Sequence, residues 1–241
     1  MLVSYPIQNI LFLDIETVPQ YPSFEQLSDE WKRLWEAKAA ILLRSRPDEN
    51  AGSIYDRAGI YAEFGKIICI SCGVMYGTEN KRRLVLKSFA GDSEPQLLKA
   101  FSDMLLKWSG NEPRVLCAHN GKEFDFPYIC RRLIINGLPV PNILNVAGKK
   151  PWDVNHLDTM ELWKFGDFKS YTSLNLLAHC LGIPTPKDDI DGSMVSQVYY
   201  EEKNLDRVVT YCQKDVVSLA QVFLRLNGEQ LLTETAIEVK E

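Results

Sequence analysis

Residues 9–17 read NILFLDIET. The run is apolar, short and closed by acids, which suits a buried β-strand. Side chains two apart on a strand share a face. Asp14 and Glu16 therefore project side by side, and Ile15 points into the opposite layer. Two carboxylates this close repel each other unless a cation sits between them. Mg²⁺ takes carboxylate oxygens and water, so the pair makes half of a divalent-metal site. Read alone, it fits equally well a strand end beside solvent.

Working outward, residues 66–75 (KIICISCGVM) and 82–89 (RRLVLKSF) read as two strands joined by a turn at 77–81. Ser93 and Gln96 have capping-box spacing and open a helix to about residue 108. Residues 114–118 (RVLCA) read as a short buried strand, and 124–136 as a helix stopped by Gly137. A late strand is expected at 154–159 and a helix at 174–181, ended by Gly182, Pro184 and Pro186. Asn204 caps a last helix running to about 226, which Asn227 and Gly228 end. Strands alternate with helices, so the class is α/β. The second and third strands pair antiparallel within a mixed sheet.

Between the first two strands lies a long insert, residues 19–65. Its first part carries Trp31, Leu34, Trp35 and Ile41 at helical spacing, and Ser53 with Asp56 is placed to cap a second short helix. The insert reads either as a helical excursion packed on the sheet or as a lid flanking a substrate. The tail after Thr233 reads as loose, and residues 1–241 as one domain.

The chain has 241 residues, net charge −5 and pI near 5.4. Domains that coat nucleic acid without sequence preference are mostly basic, because phosphate neutralisation supplies their affinity. The acidic balance argues against such a coat and less against an enzyme, since divalent cations held by acids such as Asp14 and Glu16 would offset part of the charge. No apolar run reaches the roughly 18 residues of a membrane span, and no signal-peptide pattern opens the chain, so a cytoplasmic location is expected. The six cysteines read as reduced thiols. Cys69 and Cys72 lack the second pair of a zinc ribbon and fall on opposite faces of a strand. His119, His156 and His179 show no metal-ligand spacing and read as structural.

Two further segments carry chemistry. His119-Asn120-Gly121-Lys122-Glu123-Phe124-Asp125 follows a short strand and leads into a helix, where α/β folds place ligands. Gly121 permits a close approach or an unusual backbone angle. An ordinary turn with an acid at a helix start fits the same residues. Within the last helix, Tyr211 and Asp215 are four apart and share a face, among Val208, Val209, Leu219 and Val222. An acid on a core-facing stripe is costly unless it is paired or binds metal.

Taken together, D-x-E on the first strand, N-G-x-x-F-D after a later strand and Y-x-x-x-D on the last helix resemble the DEDD superfamily of 3′–5′ exonucleases. The branch is the one with tyrosine in its third motif, because position 210, where the other branch has histidine, is Thr. The resemblance runs from about residue 10 to 226. It is nearest to the exonuclease domains of family B DNA polymerases and to stand-alone predicted exonucleases related to them, the subgroup that residues 12–71, insert included, look like.

The resemblance implies a ribonuclease-H-like fold, a mixed five-stranded sheet with helices on both sides. It implies that Asp14, Glu16, Asp125 and Asp215 hold two divalent ions, Mg²⁺ or Mn²⁺. Asp14 would bridge both, Glu16 and Asp215 would complete the ion carrying the attacking water, and Asp125 would act on the second largely through water. Tyr211 would orient the water, its ordinary pKa near 10 making it a poor base. Ile15, Thr17, Asn120 and Phe124 would contact the terminal nucleotide. Phe124 could also be helix core, Asp158 either supports the acids or caps a helix, and Lys164, Lys169 and Ser170 meet phosphates or lie in a solvated loop.

The implied activity is removal of nucleotides from the 3′ end of single-stranded DNA, with release of nucleoside 5′-monophosphates. An exoribonuclease is the enzymatic alternative, since the choice turns on contacts to the 2′-hydroxyl. A non-catalytic nucleic-acid-binding module on the same fold is the other, which loss of an acid would have favoured. A proofreading or repair partner would be a separate chain.

Overall fold

A computed structural model describes residues 2–3, 5–78, 81–110, 112–167, 171–184 and 190–240. Six strands form one sheet: β1 (Ile10–Pro19), β2 (Gly65–Tyr76), β3 (Arg83–Ala90), β4 (Val115–Ala118), β5 (Leu157–Asp158) and β6 (Ile237–Lys240), in the order β5-β4-β1-β2-β3-β6. β1–β2 and β2–β3 pair antiparallel, whereas β1–β4, β4–β5 and β3–β6 pair parallel. The sheet is therefore mixed, as its sequence indicates.

Alternation along β1 sorts its side chains between two layers. Leu11, Leu13 and Ile15 pack with α2 (Glu94–Ser109) and α3 (Asp125–Ile135) through Phe101, Leu105, Ile129 and Leu133. Ile10 and Phe12 face α7 (Leu205–Leu226), whose Val216, Leu219 and Phe223 fill the other layer. The rings of Phe12 and Phe223 meet edge to face, 5.4 Å between centroids. Each fully buried side chain of this kind contributes about 1.5–3 kcal/mol, so both layers hold β1 firmly. The even-numbered face that buries Ile10 and Phe12 also carries Asp14 and Glu16.

Several expectations are corrected. The sheet has six strands, not five, because the tail expected to be loose forms β6 along β3. The late strand is only Leu157–Asp158: Asp158 caps α4 (Thr159–Lys164), and the chain turns helical at once. Ser93 precedes α2 but makes no side-chain cap. Its carbonyl accepts from the Gln96 and Leu97 N–H groups instead. Ser53 caps nothing either, because it exchanges hydrogen bonds with Asn50. Asn204 does cap α7, accepting from the Arg207 N–H. Lys169, Ser170 and Pro186 lie outside the described residues, as do Glu79 and Asn80 of the β2–β3 turn.

The insert holds α1 (Asp29–Leu42) and a 3₁₀ segment, Tyr55–Ile60. Its own small core joins Trp35, Ala39, Tyr55 and Ala58, with Trp31 packed against them. The buried stripe of α1 thus follows i, i+4, i+8 from Trp31, and Leu34 and Ile41, expected inside, are exposed. A buried ion pair fixes the end of the insert to the fold. Arg132 on α3 pairs with Glu94 at 2.5 Å and donates to the Ala62 carbonyl, while Glu94 accepts from the Ile67 N–H.

Candidate active site

Three stretches far apart in sequence meet at one end of the sheet. Asp14 and Glu16 come from β1, on its α7 side. Immediately after Glu16 the β1–β2 register slips: Glu16 faces Cys69 and Thr17 faces Ile67, so Ile68 is left over. Such a bulge re-aims neighbouring side chains and frequently lies beside a site. Tyr211 and Asp215 project from α7, one turn apart, with the Tyr211 hydroxyl hydrogen-bonded to the Asp215 carboxylate. Asp125 is the first residue of α3 and 4% exposed. Its carboxylate accepts from its own N–H and from that of Ile15, which ties α3 to β1 at the acids.

The loop that presents Asp125 depends on two backbone features. Asn120 has φ +63°, a left-handed conformation that asparagine tolerates better than most residues. A Cβ at Gly121 would come within 2.3 Å of the Ala118 Cβ, so only glycine lets the chain pass there. Asp158 holds the loop in place. Its Oδ1 accepts from the Asn120 N–H at 2.9 Å and its Oδ2 from the Lys122 N–H at 3.1 Å. The same Oδ1 accepts from the Met160 and Glu161 N–H groups at the start of α4. Both readings of Asp158 are therefore combined in one 2%-exposed side chain.

The electrostatics of the cluster are those of acids forced together. Burial, then Glu16, Asp125 and Asp215, push the Asp14 carboxyl well above the usual range. Burial, then Asp215, does the same to Glu16. Asp125 is pushed up to about 7, mainly by burial, against the pull of its backbone N–H donors. Burial and the adjacent Asp215 raise the Tyr211 hydroxyl, which stays protonated and serves as a donor. An oxygen-rich, anionic donor set of this kind is what Mg²⁺ or Mn²⁺ takes, and a divalent ion would relieve the repulsion that raises these groups.

One neighbour was not legible as part of the site. The Cys212 thiol donates to Asp14 Oδ2 at 3.4 Å, and its sulfur lies within 4.8 Å of ligand oxygens of Asp14 and Glu16. Burial holds this thiol well up and protonated, so it meets Asp14 as a weak hydrogen-bond donor. Its position between Tyr211 and Asp215 reads in sequence only as helix packing. Cys69 and Cys72 do lie on opposite faces, packed in different layers.

Beside the acids opens a cleft of about 440 Å³, floored by Ile15, Glu16, Thr17 and Phe124. Phe124 also packs at 5.3 Å against the Tyr128 ring, so it belongs partly to the core and partly to the cleft. Asn120 does not line the cleft, and its side-chain oxygen is buried with no partner among the described residues. Lys164 is half-buried at the end of α4. His119 bridges Thr159 Oγ1 and the Thr172 carbonyl. His156 accepts from the Leu116 N–H and faces the Ile143 carbonyl with its other nitrogen. Both are structural. Burial lowers both, His156 to about 4.

Residues 60–238 match the model of a family described as predicted 3′–5′ exonucleases related to the exonuclease domain of PolB. The match includes Asp125, Tyr211 and Asp215 and begins after β1 and most of the insert. No curated protein matches the chain. Among solved structures, the family B DNA polymerase from the hyperthermophilic archaeon Pyrobaculum calidifontis superposes with a TM-score of 0.53 at 16% identity, covering 91% of this chain and 25% of the polymerase. The chain thus spans about a quarter of that polymerase's length, and the likeness establishes a shared ribonuclease-H-like fold. No described helix is long and apolar enough to cross a membrane.

Proposed function

The chain belongs to the family of predicted 3′–5′ exonucleases related to the exonuclease domain of family B DNA polymerases, and from that premise we propose that it hydrolyses single-stranded DNA stepwise from the 3′ end, using two divalent ions. The observation that carries the reading is the convergence of Asp14, Glu16, Asp125 and Asp215, drawn from three distant segments, in one cluster with the Tyr211 hydroxyl at its edge.

The four carboxylates are the residues that would hold Mg²⁺ or Mn²⁺. When bound, such ions neutralise the acids, lower the pKa of water and stabilise charge on the oxygens of an in-line displacement. The remaining work falls to the protein. Asp14 contacts the other three acids electrostatically and is held by Cys212, so it is the centre of the ligand set. Asp125 is oriented by the Ile15 N–H and by the loop that Asp158 clamps. Tyr211, protonated and hydrogen-bonded to Asp215, is placed to orient the attacking water by donating to it, with deprotonation left to other groups. Ile15, Thr17 and Phe124 form the floor on which a terminal sugar and base would rest; base stacking on an aromatic ring is tolerant of sequence. The product would be a nucleoside 5′-monophosphate.

The test is a 5′-labelled oligonucleotide incubated with Mg²⁺ or Mn²⁺ and resolved on a sequencing gel. A ladder shortening from the 3′ end, abolished by EDTA and by a 3′-phosphate block, is expected for single-stranded DNA. Equal degradation of the blocked strand would refute the polarity. RNA and duplex DNA run alongside decide the substrate class, and faster loss of RNA would make the protein an exoribonuclease.

A further inference from the structure

The wall of the cleft is built by the insert. Asp56, Arg57, Gly59 and Ile60 of the 3₁₀ segment line it opposite the floor residues. The segment is anchored. Tyr55 and Ala58 are buried in the insert core, and the Tyr128 hydroxyl donates to the Gly59 carbonyl at 2.8 Å. Gly59 packs so closely on β1 that a Cβ there would stand 3.1 Å from the Val18 carbonyl carbon. Whatever these side chains do, they do from a fixed position beside Glu16.

Arg57 is the only cation lining the cleft among the described residues. Its side chain is half-buried and makes no hydrogen bond or ion pair among them. Asp56, on the same wall, is exposed, so solvent and salt screen it more strongly. The floor, by contrast, is acidic and repels a phosphodiester until cations neutralise it. A chain with net charge −5 needs local positive charge to draw a polyanion into such a cleft. Guanidinium groups bind phosphate through paired, charge-assisted hydrogen bonds. Next to Arg57, Ile60 is 47% exposed and offers an apolar surface.

We infer that the insert is a substrate subsite: Arg57 binds a backbone phosphate of the strand whose 3′ end lies over Asp14 and Glu16, and Ile60 packs against the adjoining nucleotide. The inference rests on the proposed nuclease reading and gives the insert a role in holding substrate.

The test compares wild type, Arg57→Gln, Arg57→Lys and Arg44→Gln, the last removing an equal charge from an exposed turn of the insert away from the cleft. Release of the 3′ nucleotide from 5′-fluorescein oligothymidylate is followed across a salt series, with anisotropy of the same oligonucleotide in EDTA as a separate binding readout. For Arg57→Gln, KM should rise about ten-fold with kcat within two-fold, since a charge-assisted bond is of that order. The slope of log kcat/KM against log salt should become shallower by about 0.7, the value for one phosphate contact on a single strand. Arg57→Lys should keep the slope, and Arg44→Gln should match wild type. Hydrolysis with unchanged KM and slope in Arg57→Gln would overturn the subsite and leave the nuclease reading standing. Arg57-dependent binding without hydrolysis by wild type would overturn the nuclease reading and support the subsite. Absence of both binding and hydrolysis would overturn both.

Discussion

Asp158→Ala is the substitution from which most can be worked out in advance. The carboxylate accepts four backbone N–H groups: Asn120, Met160 and Glu161 on Oδ1, and Lys122 on Oδ2. Loss of a helix N-cap costs about 1 kcal/mol. Hydrogen bonds to a charged group are worth about 1.5–3 kcal/mol each, and the two loop bonds are partly buried. Together these give about 4–7 kcal/mol, or a fall in melting temperature of roughly 15 °C for a chain of this size. Asp158→Asn separates the contributions, because its single oxygen can keep the three Oδ1 bonds while its amide faces the Lys122 N–H. It should therefore lose only about 1.5–3 kcal/mol, the value of one such bond. The loop also positions Asp125, and a displacement of about 1 Å at a catalytic group can lower the rate of 3′-nucleotide release ~10²-fold. Urea unfolding followed by circular dichroism measures the first effect, and kcat on a labelled strand the second. An Asp158→Ala protein that unfolds within 1 kcal/mol of wild type would refute the clamp.

Glu94→Ala strands Arg132 in the core beside the Ala62 carbonyl and should destabilise by about 3–5 kcal/mol, measured by the same unfolding; replacing both residues with apolar ones should recover much of that. The raised carboxyls make metal-free stability fall with pH. Their folded pKa values lie above the unfolded ones, so their contribution is present below about pH 4, the unfolded range, and is lost as pH rises through the folded values, about 7 for Asp125. Thermal melts with and without Mn²⁺ should therefore show a larger metal-induced shift at pH 8 than at pH 6, because metal replaces protons at these groups. Tyr211→Phe should lower kcat about 10–100-fold, the worth of one hydrogen bond to a charged group, while leaving the Mn²⁺-induced shift in melting temperature unchanged.

The acids were legible because local periodicity decides where they point. Alternation on β1 gave Asp14 and Glu16 a common face, and the helical repeat of α7 put Tyr211 and Asp215 on another. What escaped depends on partners distant in the chain. β6 has one neighbour and a single half-buried first residue, Ile237, so its pattern is too weak to distinguish it from a tail. The slip at Ile68 leaves no mark in composition. Capping at Ser93 failed because its backbone carbonyl, not its hydroxyl, meets the first helical N–H groups. In the insert, the stripe from Trp31 through Trp35 to Ala39 competes with a plausible one through Leu34 and Ile41, and only packing on Tyr55 and Phe64 decides between them. Cys212 and Arg57 gain their places only once α7 and the insert close on β1.

The central claim is that the carboxylate cluster is the catalytic metal site. It is tested most directly by the single-turnover rate of 3′-nucleotide release in Mg²⁺ for Asp14→Asn beside wild type, with circular dichroism to show that the fold is retained. A loss of at least ~10³-fold, equivalent to about 4 kcal/mol of transition-state stabilisation, is the predicted result. A folded Asp14→Asn protein that retains activity within ten-fold of wild type would contradict it.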